Sequence, residues 1–232
     1  GALAVERQVV RYDLLGHGRS VDPPGRRSVE DLVAQCLEVM SHDMVVGGDG
    51  RNPDLIGLSL GGLVAMAVGS RRPDTLGRLV AMNTVFDRTP EQLVGARDRL
   101  LLAETEGMGP VADLAVDRWF RPEWQAAHPA RVAAVDQRIR TNDVDAYLKA
   151  YRVFVEGDPG MPGAAAGITA PTLAITGELD PGSTPAMSRA IASVIPGGRS
   201  RVLSGLRHLL PIEAPGECSA ALLEFLDEPT SL

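Results

Sequence analysis

A serine hydroxyl becomes a useful nucleophile only when a base can take its proton. The residues to seek are therefore a serine on a sharp turn, plus a histidine and a carboxylate able to converge on it. The stretch "DLIGLSLGGLVAMAVGS", residues 54 to 70, supplies the serine. It opens as an aliphatic run, sets Gly57 and Gly61 two residues either side of Ser59, and continues as small apolar residues at helical spacing. A strand that becomes a helix in so few residues brings the two elements together, and glycine is needed wherever a β-carbon would collide. Such a turn lifts the Ser59 hydroxyl above the strand end, at a strain of about 1–3 kcal/mol that is retained mainly at working sites. The helix that begins at Leu60 aims its first N–H groups beside Ser59, which makes Leu60 N–H the candidate oxyanion donor.

Four histidines compete for the role of base. His208 lies between the last apolar strand run and the last helix, on the carboxyl edge where ligands collect in open α/β sheets, and is the candidate. His17, in the glycine-rich "DLLGHGRS", reads as a residue holding loop geometry, His42 as a solvated or half-buried helix residue, and His128, ahead of Pro129, as a surface residue. The acceptor that fixes the imidazole tautomer is Asp180, in "TGELDPGSTP", which leaves the end of another strand on the same edge; Glu178 and Asp87 stand as substitutes. The candidate catalytic set is thus Ser59, Asp180 and His208. No histidine and carboxylate cluster has metal-ligand spacing, so neither metal nor organic cofactor is expected.

These residues need a sheet to hold them. Strands are expected at 7–15, 53–59, 77–85, 170–177 and 198–205. Helices are expected at 28–44 (with Ser28 as N-cap and Asp31 three residues on), from Leu60 to about Arg71, at 184–194 and at 215–227. Near-continuous apolar strands alternating with helices predict an α/β fold, a mostly parallel sheet covered by helices on both faces. The alternation stops between Asp87 and Gly167, where the pattern is helical and closes on a flexible glycine, proline and alanine stretch, "GDPGMPGAAAG". This divides the chain into a core of 1–87 and 168–232 and a helical cap insertion of 88–167. Trp119, Phe120, Trp124, Tyr147 and Tyr151 of that insertion either wall the pocket or simply pack its helices.

A net charge of −7 without a basic run excludes the electrostatic footprint of a nucleic-acid or anionic-lipid binder. The longest apolar stretch, Leu55 to Gly69, is too short and glycine-broken to span a bilayer. Cys36 and Cys218 lie far apart in helices and read as buried thiols of a reducing compartment; with no signal peptide visible, the expected location is cytoplasmic. The expected partner is a small-molecule ester or lactone, and no oligomeric state can be read.

Four motifs in order, "DLLGHGRS", "GLSLGG", "TGELDPGSTP" and "GLRHLLPIEAPGE", resemble those of the α/β-hydrolase superfamily over essentially the whole chain, with the serine, acid, histidine order of that fold. "DRWFRPEW" with "RIRTNDVDAYLKAYRVFVEGD" resembles the 3-oxoadipate enol-lactonase group. The resemblance implies a serine hydrolase that cleaves a carboxylic ester or lactone through an acyl-enzyme. A non-catalytic ligand-binding relative, an acyltransferase and a proline iminopeptidase type are the alternatives on the same fold. It also implies about three strands and a histidine-glycine loop, bearing the second oxyanion donor, ahead of the 7–15 strand. Here about six residues precede that strand. The N-terminal strands are therefore expected to be missing, as in a fragment, or else the 7–15 and 53–59 strands pair directly.

Overall fold

The computed structural model describes residues 2–5, 7–42 and 51–229. Four parallel strands, β1 (Leu55–Leu58), β2 (Leu79–Met82), β3 (Thr172–Gly177) and β4 (Arg199–Leu203), lie side by side in chain order. The register sets Gly57 beside Ala81 and Ala81 beside Ala174. Side chains alternate between two cores, as the period of a strand requires. Leu79, Ala81 and Ala174 face the side covered by α1 (Val29–Ser41), α2 (Leu60–Arg71) and α9 (Pro185–Val194), while Val80, Met82, Leu173 and Ile175 face α11 (Pro215–Leu226). Cys36 and Cys218 are buried free thiols, one in each core, which is why they do not pair.

Local rules account for most element ends. Ser28 caps α1 by accepting from Asp31 N–H, and the Asp31 carboxylate accepts from Ser28 N–H in return. The helix expected to run to residue 44 ends at Ser41, and residues 43 and 44 lie outside the described part. Six helices separate β2 from β3: α3 (Pro90–Glu106), α4 (Met108–Trp119), α5 (Pro122–Ala127), α6 (Pro129–Arg140), α7 (Val144–Glu156) and α8 (Met161–Ala165). α3, α4 and α6 build a small core of their own around Ala103, Met108, Ala112 and Ile139. A short α10 (Leu210–Glu213) follows His208.

Two expectations fail. The stretch 7–15 is not a strand. A strand needs a neighbour to share its ladder, and among the described residues β1 pairs with β2 alone, so the direct pairing of 7–15 with 53–59 does not form. Helix α1 takes over its polar groups instead: Leu15 N–H donates to Gln35 Oε1, and Gln35 Nε2 donates to the Asp13 carbonyl. The second failure is the glycine, proline and alanine stretch, read as flexible. Its middle is α8, with Met161 and Ala165 buried against α2, because small side chains let that turn sit flush on the core.

Candidate active site

Ser59 sits between β1 and α2 at φ +56° and ψ −116°, a conformation that L-residues rarely adopt. Its N–H donates to the Met82 carbonyl at 2.9 Å, and its carbonyl accepts from Thr84 Oγ1 at 2.7 Å, so the strained turn is tied to the end of β2. The hydroxyl caps no backbone group of α2 and lines a cavity of about 440 Å³. Leu60, whose N–H is among the first, unpaired donors of α2, lines the same cavity.

The two glycines of the turn differ. A β-carbon on Gly57 would lie 2.0 Å from the Gly61 carbonyl oxygen, whereas one on Gly61 would meet open space. The second close approach belongs to Gly62, whose β-carbon would lie 2.7 Å from Thr84 Cβ. The reading that Gly61 is forced by helix-to-strand contact is thereby corrected: Gly61 contributes its carbonyl to the squeeze at Gly57.

In the wall of the same cavity His208 Nδ1 meets Asp180 Oδ2 at 2.7 Å, and both residues are buried. The other Asp180 oxygen accepts from Gly182 N–H at 2.9 Å and Ser183 N–H at 3.0 Å, while Asn83 Nδ2 donates to Oδ2 at 2.8 Å. Burial pushes the Asp180 carboxyl up, but the hydrogen bond and charge of His208, together with Ser183 and Asn83, outweigh it and hold the acid below its ordinary value. The imidazole is fixed from three further directions. Its backbone N–H donates to the Trp119 carbonyl at 3.3 Å, its ring stacks on the Trp119 indole at 5.7 Å, and the preceding Arg207 N–H donates to the buried carboxylate of Glu213 at 2.8 Å. Glu213 also accepts from Arg121 N–H and Nε, which ties the end of α4 to the histidine loop.

The remaining candidates separate cleanly. Glu178 is exposed and accepts from Ser204 Oγ and Gly205 N–H in a turn, and Asp87 is exposed; neither reaches His208. His42 closes α1. His128 is half-buried rather than on the surface, its ring stacked on Trp124 at 4.4 Å. His17 does hold its loop, with Nδ1 on the Leu15 carbonyl at 3.2 Å, but it also lines the cavity. Of the aromatics, Trp119, Tyr147 and Tyr151 line the cavity, while Phe120 and Trp124 stack on each other in the packing of the insertion. Among the described residues no group of three or more histidine, cysteine or carboxylate side chains could hold a metal.

Asn83 and Glu213 were not anticipated. Asn83 left a signal in the sequence, a lone amide at the carboxyl end of an apolar run; Glu213 left none, because its partners Arg121 and Arg207 are brought to it only by the fold.

A parallel sheet between two helical layers, with a strained serine at one strand end and a histidine–aspartate pair at another, defines the α/β-hydrolase class. The comparison with known proteins agrees: the chain belongs to the alpha/beta hydrolase family, which matches residues 1–221. It is 28% identical over 222 residues to (E)-2-((N-methylformamido)methylene)succinate hydrolase of Acinetobacter baylyi, covering 94% of this chain and 80% of that one. It is 25% identical to 3-oxoadipate enol-lactonase 2 of the same organism, over 89% of this chain and 74% of the relative. The crystal structure of the enol-lactonase from Burkholderia xenovorans LB400 superposes with a TM-score of 0.86 at 31% identity, over 98% of this chain and 84% of the other. The chain is a hydrolase of the α/β-hydrolase type, similar to enol-lactonases.

Proposed function

We propose that this enzyme cleaves a carboxylic ester or lactone through an acyl-enzyme formed on Ser59. The observation that carries the reading is the 2.7 Å contact of His208 with Asp180 in the wall of the cavity that Ser59 also lines. His208 takes the Ser59 proton through Nε2 as Oγ attacks the carbonyl, and Asp180 holds Nδ1–H and stabilises the imidazolium. Leu60 N–H faces the developing oxyanion at the positive end of α2. His208 returns the proton to the leaving oxygen, and water then releases the acyl group by the reverse path. The helices between β2 and β3 act as a cap over residues 88–167, with Trp119, Tyr147 and Tyr151 giving the pocket an apolar wall that limits bulk water. The likeness to proteins named as enol-lactonases supports a lactone or ester over an amide. Cys36 and Cys218, as buried free thiols, support a reducing, cytoplasmic setting.

The test is a panel of p-nitrophenyl esters, small lactones and proline p-nitroanilide. Turnover of esters or lactones with a burst of p-nitrophenol equal to the enzyme concentration is expected. Cleavage of the anilide alone would overturn the reading.

A further inference from the structure

The loop that carries His208 is bound from two sides, by the sheet and by the inserted helices. On the sheet side, Leu179 N–H donates to the Leu206 carbonyl at 2.8 Å and Asn83 Nδ2 donates to the Arg207 carbonyl at 3.3 Å. A β-carbon on Gly177 would lie 2.3 Å from the Arg207 carbonyl oxygen, so the loop rests directly on the end of β3. On the other side it is bound to the end of α4 and the start of α5. His208 N–H donates to the Trp119 carbonyl, and Arg207 Nη1 donates to the carbonyls of Asp117 and Phe120.

One buried side chain adds a charge to this second set. The Glu213 carboxylate is buried, while the Arg121 guanidinium beside it is partly exposed. Glu213 Oε2 accepts from Arg207 N–H at 2.8 Å, and Oε1 accepts from Arg121 Nε at 2.7 Å and from Arg121 N–H at 3.3 Å. Each oxygen therefore serves a different segment, one the backbone next to His208 and the other the junction of α4 and α5. Burying a carboxylate costs stability unless donors surround it. A neutral acceptor is enough for a backbone N–H, whereas the charge gives a strong, directional bond to a guanidinium as well. Helix α4 also forms part of the cavity wall, through Leu114 and Trp119 among others. A ligand in that cavity touches the helix whose end grips the histidine loop.

We propose that Glu213 is a positioning residue that locks His208 to the inserted helices through Arg207 N–H and Arg121, so that the seat of α4 on a bound substrate sets the reach of the imidazole toward Ser59. The proposal rests on the hydrolase reading above and adds Glu213 and Arg121, neither of which lines the cavity. Its simplest rival is a buried ion pair that only stabilises the fold. That role lowers the urea midpoint and leaves kcat per folded molecule unchanged, whereas loss of positioning lowers kcat and leaves KM nearly unchanged. Acylation and deacylation both pass their proton through His208, so the loss appears in kcat whichever step limits.

The experiment measures kcat and KM on the p-nitrophenyl ester that wild type cleaves fastest, for Glu213→Gln, Arg121→Gln, Arg121→Lys and the double variant carrying both Gln substitutions. It also follows the downfield proton resonance of the His208 Nδ1–H bond to Asp180. Glu213→Gln and Arg121→Gln should each lower kcat about tenfold or more, the worth of one charge-assisted hydrogen bond, and should shift or broaden that resonance. Arg121→Lys should recover part of the loss, and the double variant should lose no more than the weaker single variant, since both changes break one linkage. Arg121 is partly exposed, so its variants decide the matter if Glu213→Gln does not fold. Unchanged kcat with an unmoved resonance in folded variants, or losses that multiply in the double variant, would overturn the lock while leaving the hydrolase reading intact. If wild type cleaves no ester, the hydrolase reading is what fails, and the resonance alone judges the lock. Displaced in both Gln variants it supports the positioning role, and unmoved it overturns it.

Discussion

The two halves of the proposed catalytic site are held by different means. The acid–base half is fixed by side chains: Asp180 receives four hydrogen bonds, and His208 is gripped through its ring nitrogen, its ring face and its backbone. The nucleophile half is fixed by backbone. Ser59 is placed by a strained φ, by its bonds to Met82 and Thr84, and by the squeeze of Gly57 against the Gly61 carbonyl. The lesson is that one half should fail when atoms are removed and the other when atoms are added.

The largest effect is expected from removal in the acid–base half. Asp180→Asn leaves the geometry but offers His208 the wrong partner, and kcat for an ester substrate should fall about 10⁴-fold with an unchanged circular dichroism spectrum. A fall of only a few fold would mean that the carboxylate does not orient the base.

Addition in the nucleophile half comes next. Gly57→Ala forces a β-carbon into the Gly61 carbonyl and should cost about 3 kcal/mol of stability or more, read as a loss of urea midpoint. Gly61→Ala, which enters open space inside a helix, should be neutral or gain up to about 1 kcal/mol. Equal effects at the two glycines would erase the contrast between them.

A smaller loss is expected at Asn83, where the substitution should be to glycine because φ is positive there. Asn83→Gly removes the amide from Asp180 Oδ2 and should reduce kcat/KM about tenfold, with most of the fold retained.

The pH response follows from the same carboxylate. Because Asp180 lies below its ordinary value of 3.8 in the folded chain, its pairing contributes stability above that value, which is lost as pH falls through the lowered one. The urea midpoint should therefore drop as pH falls below about 4, and drop less in Asp180→Asn.

The smallest effect concerns the thiols. Burial, with the charge of Glu217 added, pushes Cys218 up to about 11, and burial raises Cys36 as well. Iodoacetamide at about pH 8 should label neither thiol until the chain is unfolded.

Much of this was legible in the sequence, for physical reasons that differ by residue. The strand, turn and helix around Ser59 are local, so the spacing of Gly57, Ser59 and Gly61 was enough to read them. His208 and Asp180 were legible because each lies at the carboxyl end of an apolar run, and the ends of parallel strands share one edge. The strand expected at 7–15 was misread because an apolar run records a tendency, while a ladder also needs a neighbour. Arg121 and Glu213 meet across 92 positions, and no local pattern announces a contact of that range.

The central claim is that Ser59, with His208 and Asp180, is a working nucleophile. It is tested most directly by treating the protein with a fluorophosphonate and locating the adduct by peptide mass spectrometry. One adduct per chain on Ser59, absent from Ser59→Ala and greatly slowed in His208→Gln, is the predicted result. An adduct elsewhere, or none on a chain that is folded, would contradict the account.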